Sequence, residues 1–382
     1  MISLAIPNLT GNEKKYLDNC IDTTFVSSVG QYVKQFEEMV AEATGSSEAV
    51  ATSAGTTAIH AALTAVGVKH NELVIIPTFT FIATANAVRH CGADPWLMDV
   101  SKEDWCLDPE LVQTEIEKNC EWRNGQLYHK DRNQRIAALM PVYTLGNVPD
   151  MDKFRAIADE YKLPLVVDAA CAIGATYKGR PLGQLADLST LSFNGNKTIT
   201  CGGGGAVVGT DEKLLAHVRH LTTTARVWPD YDFDEVGFNY RMTNIQAAVG
   251  VAQMERLQAF VDRKRYVRKY YEESLTAWAK KNNATFFPTT KDSSCWFSGV
   301  VLPTESQLED AKQLCAELKT KGIEARSFWK PVHLQKPYED CPRSDVKISE
   351  GLWQRIVTLP CSTGITDAEL KNVVDDVVNV QL

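Results

Sequence analysis

The sequence lacks the features that define several large classes of protein. No run of 18 or more apolar residues occurs among its 382 residues, so no membrane-spanning helix is predicted. Basic residues are not in excess, because 40 lysines and arginines are set against 48 aspartates and glutamates, a formal net charge of −8. An acidic chain without a basic cluster argues against a nucleic-acid partner and against an anionic membrane surface.

The sequence also lacks paired cysteines, and no secretory leader is predicted from it. Its ten cysteines are scattered singly, with no Cys-x-x-Cys pair, which favours reduced thiols over a disulfide framework or a zinc site. We therefore predict no bound metal. The N-terminus has no basic segment followed by a long apolar core. A chain of this length can bury a large core without disulfide bonds or metal ions to stabilise it. Together with the scattered cysteines, this leads us to expect a soluble, cytoplasmic, globular protein.

What the sequence does contain is an alternation of short apolar runs and helical patterns over its first two-thirds. This alternation predicts an α/β fold with a mainly parallel sheet and helices on both faces. The predicted strands are residues 49–52, 73–76, 96–100, 136–142, 165–168, 191–193 and 205–209. The predicted helices are residues 56–65, 83–90 and 151–161, followed by one long amphipathic helix over about 243–280. A smaller C-terminal α/β domain is expected after it.

A glycine and two threonines follow the first predicted strand, in Ser53-Ala54-Gly55-Thr56-Thr57. Free N–H groups and the dipole at a helix start form a natural seat for a phosphate group. Threonine is equally an ordinary helix-capping residue. The motif alone leaves both interpretations open.

An aspartate, Asp168, ends the apolar strand over residues 165–168. Ligands of open α/β sheets gather at the carboxyl ends of the strands, where a carboxylate can hold a cation or a protonated ring nitrogen. A cap for the following turn explains the same aspartate about equally well.

A single lysine, Lys197, stands between an apolar strand and the glycine run 202–205. A lysine in a partly desolvated pocket can attack a carbonyl group and form a Schiff base, although most lysines are solvated surface charges. The triphosphate-binding pattern G-x-x-x-x-G-K-[ST] is absent, and no G-x-G-x-x-G follows a predicted strand. Nucleotide triphosphate and nicotinamide sites are therefore not predicted.

Taken together, these segments resemble the DegT/DnrJ/EryC1/StrS family of sugar aminotransferases, which use pyridoxal 5′-phosphate (PLP). The matching segments, nearly end to end, are residues 25–30, 54–58, 77–84, 168–170, 174–179, 192–197 with the glycine run, and 237–241. The resemblance implies the aspartate-aminotransferase-like fold (PLP fold type I), with a mainly parallel seven-stranded sheet. It also implies a large PLP-binding domain over 1–250, a smaller domain over 251–382, and a homodimer.

The resemblance also implies roles for individual residues. Lys197 would be the catalytic residue that binds PLP covalently, and Asp168 would pair with the pyridine nitrogen. Phe81 would stack on the ring. The cofactor phosphate would be bound by Thr56, Thr57 and Ser192, together with Asn239 of the partner subunit, so that two subunits share each active site. Cys171 departs from the family pattern, since many relatives carry glutamine, glutamate or histidine at that position.

The resemblance implies glutamate as amino donor and a nucleotide-linked 4-keto-6-deoxy sugar as acceptor. The sequence around Lys197 is most similar to that of enzymes acting on UDP-4-keto-6-deoxy-N-acetylglucosamine. Those enzymes make the precursor of bacillosamine or legionaminic acid for surface glycans. Amination at C3, a dTDP- or GDP-linked sugar, and a non-catalytic binding protein of the same fold remain the alternatives. Ser27, Ser28 and Arg241 are assigned to the nucleotide sugar.

Overall fold

A computed structural model describes residues 1–227 and 229–380. The helices are α1 Glu13–Asp22, α2 Gln31–Thr44, α3 Gly55–Ala65, α4 Ile82–His90, α5 Pro109–Asn119, α6 Met151–Tyr161, α7 Glu212–Thr222, α8 Asn244–Met254, α9 Leu257–Lys281, α10 Leu308–Thr320, α11 Lys347–Leu352 and α12 Asp367–Val378. The strands are β1 Glu48–Thr52, β2 Leu73–Pro77, β3 Asp94–Met98, β4 Cys120–Arg123, β5 Gln126–His129, β6 Gln134–Leu139, β7 Val166–Asp168, β8 Thr176–Tyr177, β9 Arg180–Pro181, β10 Leu188–Ser192, β11 Gly205–Gly209, β12 Arg226–Val227, β13 Asp232–Phe233, β14 Thr285–Phe286, β15 Ser298–Val301, β16 Arg326–Ser327 and β17 Ile356–Leu359.

The central sheet has seven strands in the order β3-β2-β6-β7-β10-β11-β1. Its two parts, β3-β2-β6 and β7-β10-β11-β1, are joined by parallel bridges between Leu139 and Leu165 and between Val142 and Asp168. All of these strands run parallel except β11, which is antiparallel to both of its neighbours. The predicted fold class, a mainly parallel seven-stranded sheet within an α/β fold, is confirmed.

Individual strands differ from their predicted bounds for identifiable reasons. Strand β11 and helix α6 coincide with the prediction, whereas β6 ends at Leu139, three residues earlier than predicted. Pro141 follows it, and a proline has no N–H group with which to continue a ladder. Strand β3 ends at Met98, since its register with β2 ends where Met98 is opposite Pro77.

The single long helix predicted over residues 243–280 is wrong, because the structure has two helices there. Between α8 and α9, Arg256 adopts φ −117° and ψ 8°, which is not helical. The end of α8 is bonded to the N-terminal segment: the Gln253 side chain donates to Asn8 O at 2.9 Å, and Glu255 accepts from Asn12 at 2.8 Å. Helix α9 then takes a new direction along the C-terminal core.

A second sheet of order β14-β15-β17-β16, in which neighbouring strands are antiparallel, forms the C-terminal part of the chain. Its core includes Tyr271, Trp278 and Leu370. The first residues of the chain also pack there, since Leu4 is part of this core and Ile2 bridges Ile323. The division into domains 1–250 and 251–382 stays a prediction.

Within the described residues, no helix combines the length and the apolar character that a membrane-spanning segment requires.

Candidate active site

A cavity of about 710 Å³ opens at the carboxyl-terminal edge of the central sheet. The residues that end β7 and β10, Asp168 and Ser192, both line it, as does Val142 beyond β6. The carboxyl ends of parallel strands meet at one edge, which is why residues far apart in sequence converge there. The opposite wall comes from the C-terminal part and from residues 4–6.

The structure brings together some of the residues that the sequence analysis selected and separates others. Those that line the cavity are Thr56, Phe81, Asp168, Ser192 and Lys197. Those that lie outside its lining are Ser27, Ser28, Thr57, Asn239 and Arg241.

Asp168 is a buried carboxylate, with 4% of its surface exposed. One oxygen accepts a hydrogen bond from the Thr84 hydroxyl at 2.7 Å, and the other accepts from the Ala170 N–H at 3.0 Å. Burial raises the pKa of Asp168, while these two hydrogen bonds and the charge of Lys197 act in the opposite direction. The charged carboxylate thus carries a desolvation cost, which a cationic partner would offset.

Lys197 is half-buried, and its amine contacts two side chains of the cavity. The Nζ atom lies 3.3 Å from Sγ of Cys171 and 3.9 Å from the centroid of the Trp296 ring. Burial raises the pKa of the Cys171 thiol, and the nearby charge of Lys197 partly offsets the rise. The amine therefore sits beside a neutral thiol and an aromatic face.

The start of helix α3 has the geometry of a phosphate seat, but its two threonines differ. A Cβ atom on Gly55 would lie 2.7 Å from Cβ of Ser192, so glycine lets the helix start approach that serine closely. Thr56 faces the cavity. The Thr57 hydroxyl instead donates to Ala54 O at 2.8 Å and accepts from Ala54 N–H at 3.0 Å, which makes it a helix cap.

Arg241 has a structural role in this chain. Its guanidinium pairs with Glu37 at 2.7 Å and donates to Ala51 O at 3.0 Å, and only 12% of its side chain is exposed. An arginine committed in this way is not available to a ligand in the cavity. The assignment of Arg241 to the nucleotide sugar therefore has no support within one chain.

The exposed candidates lie outside the lining of the cavity. The Ser27 carbonyl accepts from Asn244 N–H at 2.6 Å, while the side chains of Ser27 and Ser28 are exposed. Asn239 is exposed as well, and its backbone bridges Thr223. None of the three reaches the cavity of its own chain.

The sequence analysis missed an aromatic wall that faces the sheet edge across the cavity. It consists of Trp296, Phe297, Phe328 and Trp329. Phe328 and Trp329 stack with ring centroids 4.2 Å apart, and Trp329 lies 6.0 Å from the half-exposed Phe81. The signal in the sequence is two pairs of consecutive aromatic residues. Trp296 and Phe297 directly precede β15, and Phe328 and Trp329 directly follow β16.

Comparison with known proteins identifies the family. Residues 7–378 match the DegT/DnrJ/EryC1/StrS aminotransferase family. The chain is 37% identical to a GDP-perosamine synthase of Caulobacter vibrioides, over 98% of this chain and 96% of the relative. It is 28% identical to a UDP-4-amino-4,6-dideoxy-N-acetyl-beta-L-altrosamine transaminase of Campylobacter jejuni, over 92% and 90%.

A solved structure shows the same fold. PseC of Helicobacter pylori, an aminotransferase involved in the biosynthesis of pseudoaminic acid, superposes with a TM-score of 0.87 at 21% identity, covering 98% of this chain and 97% of that one. The chain therefore belongs to the DegT/DnrJ/EryC1/StrS aminotransferase family. It is a PLP-dependent aminotransferase, and the predicted family, enzyme class and cofactor are confirmed.

The burial of Asp168 makes a prediction about the cofactor-free protein. Because the folded-state pKa is raised, the carboxyl group lowers the free energy of unfolding as pH rises through that pKa. Asp168→Asn is therefore expected to raise the Tm of the cofactor-free protein by a few degrees at pH 7. The gain is expected to vanish in acid, where the wild-type carboxyl group is protonated.

Calorimetry at both pH values checks this, with the exposed Asp22→Asn as the matched control that leaves Tm unchanged. A lower Tm for Asp168→Asn at pH 7 would show that the hydrogen bonds from Thr84 and Ala170 outweigh the cost of burial.

Proposed function

We propose that this aminotransferase moves an amino group from glutamate to the keto group of a GDP-linked 4-keto-6-deoxy sugar, with Lys197 as its reactive amine. The observation that carries the assignment of residues is one cavity that holds a buried carboxylate, a half-buried amine and a glycine-led helix start. The carboxylate suits a cationic ring, the amine suits an aldehyde, and the helix start suits a phosphate.

The residues of the cavity fit PLP. Asp168 would hold the ring nitrogen, since a buried carboxylate with an elevated pKa is stabilised by a cationic partner. Thr56, Ser192 and the start of α3 would bind the phosphate, and Phe81 would cover the ring. Lys197 would hold the cofactor covalently. Thr57 supports this arrangement as a cap of α3.

Once bound, PLP supplies an electron sink for the carbon that carries the amino group. The chain supplies the proton chemistry. Asp168, whose charged form is favoured by its bonds from Thr84 and Ala170, would keep a proton on the ring nitrogen. Lys197 Nζ would take the proton from the α-carbon of the amino donor as a general base and pass it on to the cofactor as a general acid. The aromatic wall excludes water from this exchange.

For the nucleotide of the acceptor, the comparisons favour GDP, which was an alternative to UDP at the level of the sequence. The relative named for a GDP sugar is 37% identical to this chain, whereas the relative named for a UDP sugar is 28% identical. The GDP-linked alternative is therefore preferred to UDP-4-keto-6-deoxy-N-acetylglucosamine, and a bacillosamine or legionaminic acid product has no specific support. A role in surface glycans remains part of the proposal.

We also propose that two chains form a homodimer with shared active sites. Asn239 is exposed and lies outside the cavity of its own chain. This placement agrees with the role that the family resemblance implies, in which Asn239 reaches the cofactor phosphate in the active site of the partner subunit. Exposed apolar side chains precede Asn239 in the sequence at Phe233 and Val236, and Phe25, Val26 and Val29 are exposed as well. The Asn244 amide donates to Phe25 O at 2.7 Å, which joins the segment of Phe25 to the start of α8. Burying them against a second chain would remove this apolar surface from water.

The acceptor assignment predicts a preference among nucleotides. With glutamate as donor, GDP-, UDP- and dTDP-linked 4-keto-6-deoxyhexoses are compared by 2-oxoglutarate release. The GDP sugar is expected to have a kcat/KM at least about tenfold above the others, because a site that hydrogen-bonds guanine leaves polar groups unpaired with a pyrimidine. Glutamate alone, which is independent of the sugar, is the control reaction.

An equal or higher kcat/KM with the UDP or dTDP sugar would contradict the GDP assignment. Inactivity with all three sugars, while glutamate still converts the cofactor, would contradict the nucleotide-sugar acceptor.

The shared site predicts complementation between two inactive variants. Lys197→Ala and Asn239→Arg are each expected to be inactive as homodimers. Co-expression would produce mixed dimers in which one site has a wild-type Lys197 and a wild-type Asn239. Activity of about a quarter of the wild-type value is then expected. A mixture no more active than its two parents would contradict the shared site.

A further inference from the structure

Two side chains that take no part in the proton transfer above contact the amine of Lys197. Sγ of Cys171 accepts a hydrogen bond from Nζ at 3.3 Å, and the Trp296 ring lies below Nζ at 3.9 Å. Among the described residues, no carboxylate forms an ion pair with Lys197 at 4.0 Å or less. The amine is thus enclosed by groups without formal charge, although Asp168 lines the same cavity.

Cys171 is fixed from behind. Its carbonyl accepts from the Ser294 hydroxyl at 3.0 Å, and the Ser294 N–H donates to Gly146 O at 3.2 Å, so Ser294 ties Cys171 to the turn at Leu145 and Gly146. Leu145 has φ +60°, a left-handed conformation that is unfavourable for a leucine. Gly146 must be glycine there, because a Cβ atom would lie 2.1 Å from Oγ of Ser294.

Trp296 is fixed by the same turn. Its backbone N–H donates to Leu145 O at 2.9 Å, so the turn at Leu145 and Gly146 is linked directly to Trp296 and through Ser294 to Cys171. The indole N–H donates to Asn196 O at 2.8 Å, next to Lys197 in the chain. The Trp296 carbonyl accepts from the buried Lys264 amine at 2.9 Å. A strained turn that is linked to both contacts of the amine is typical of a functional position.

We propose that Cys171 and Trp296 are positioning residues that receive the Lys197 amine whenever it is not bonded to the cofactor. This inference rests on the proposed role of Lys197. A sulfur acceptor and an aromatic face orient the amine without an ion pair, so it remains free to take and return a proton. A carboxylate at the same place would hold the amine as a cation.

The thiol is neutral in this arrangement. Burial raises the pKa of Cys171, and the negative charge of Asp168 raises it further. Lys197 is the charged group that lowers the pKa of Cys171, through its charge and its hydrogen bond. Asp168 and Lys197 are the charged groups that face this thiol, with the Cys106 thiol also nearby.

The first test measures the contact itself, without any turnover. Alkylation of Cys171 is followed against pH in the full-length, cofactor-free protein, with peptide mass spectrometry to separate it from the other nine cysteines. Lys197→Met is expected to move the alkylation midpoint upward, because the group that lowers the thiol pKa is lost. An unchanged midpoint would overturn the contact and with it the proposal.

The second test measures positioning in the holoenzyme by single turnover with glutamate. Cys171→Ala is expected to lower the limiting rate constant roughly tenfold, with an unchanged glutamate concentration at half-saturation. Cys171→Ser, which restores an acceptor, is expected to recover most of the rate. Cys201→Ala, which removes a buried thiol that does not contact Lys197, is the control and is expected to react at the wild-type rate.

The proposal would be overturned if Cys171→Ala reacted with the wild-type limiting rate constant. It would also be overturned if the substitution changed only the glutamate concentration at half-saturation. Failure of the proposed function is distinguishable from both results, because it would place the covalently bound cofactor on a residue other than Lys197.

Discussion

A carboxylate held away from water at the end of a central strand is the constraint on which the rest of this site depends. Asp168 is 4% exposed and, among the described residues, accepts hydrogen bonds from a threonine hydroxyl and one backbone N–H. Two neutral donors compensate incompletely for the lost solvation of a charge. The charge of Lys197 offsets part of this cost, and a cationic partner such as the protonated ring nitrogen of PLP would offset more of it.

The parallel sheet turns that constraint into a site. Because β1, β7 and β10 run in the same direction, the residues that follow them meet at one edge, and a helix start, a carboxylate and a serine face one cavity. The C-terminal part supplies the aromatic wall opposite. The turn at Leu145 and Gly146 is linked to Trp296 directly and to Cys171 through Ser294, and both of these side chains contact the amine of Lys197.

Much of the framework could be predicted from the sequence, because apolar runs of strand length and helical periodicity are local signals. Strand β11 and helix α6 illustrate this, since their predicted bounds agree with the structure. The break at Arg256 could not be predicted, because no proline or glycine stands there and its cause is the bonding of Gln253 and Glu255 to the N-terminal segment. Bonds between residues some 240 positions apart leave no mark on local periodicity.

The candidate site divides in the same way. Thr56, Asp168 and Lys197 were selected because each ends or follows a predicted strand or starts a helix, whereas Ser192 was assigned through the family resemblance. The structure places all four on one cavity. Thr84, Trp296 and Cys171 act through contacts across the fold that spacing does not encode. Thr57 and Arg241 show the opposite error, since residues of a suitable type are committed to a helix cap and to an ion pair.

The central claim is that one amine, that of Lys197, holds the cofactor. Borohydride reduction of the PLP-loaded enzyme, followed by peptide mass spectrometry, tests it most directly. The account predicts that the reduced cofactor is bonded to the peptide containing Lys197 and to no other lysine. Attachment at a different lysine, or a fully loaded enzyme in which reduction leaves no cofactor on the chain, would contradict it.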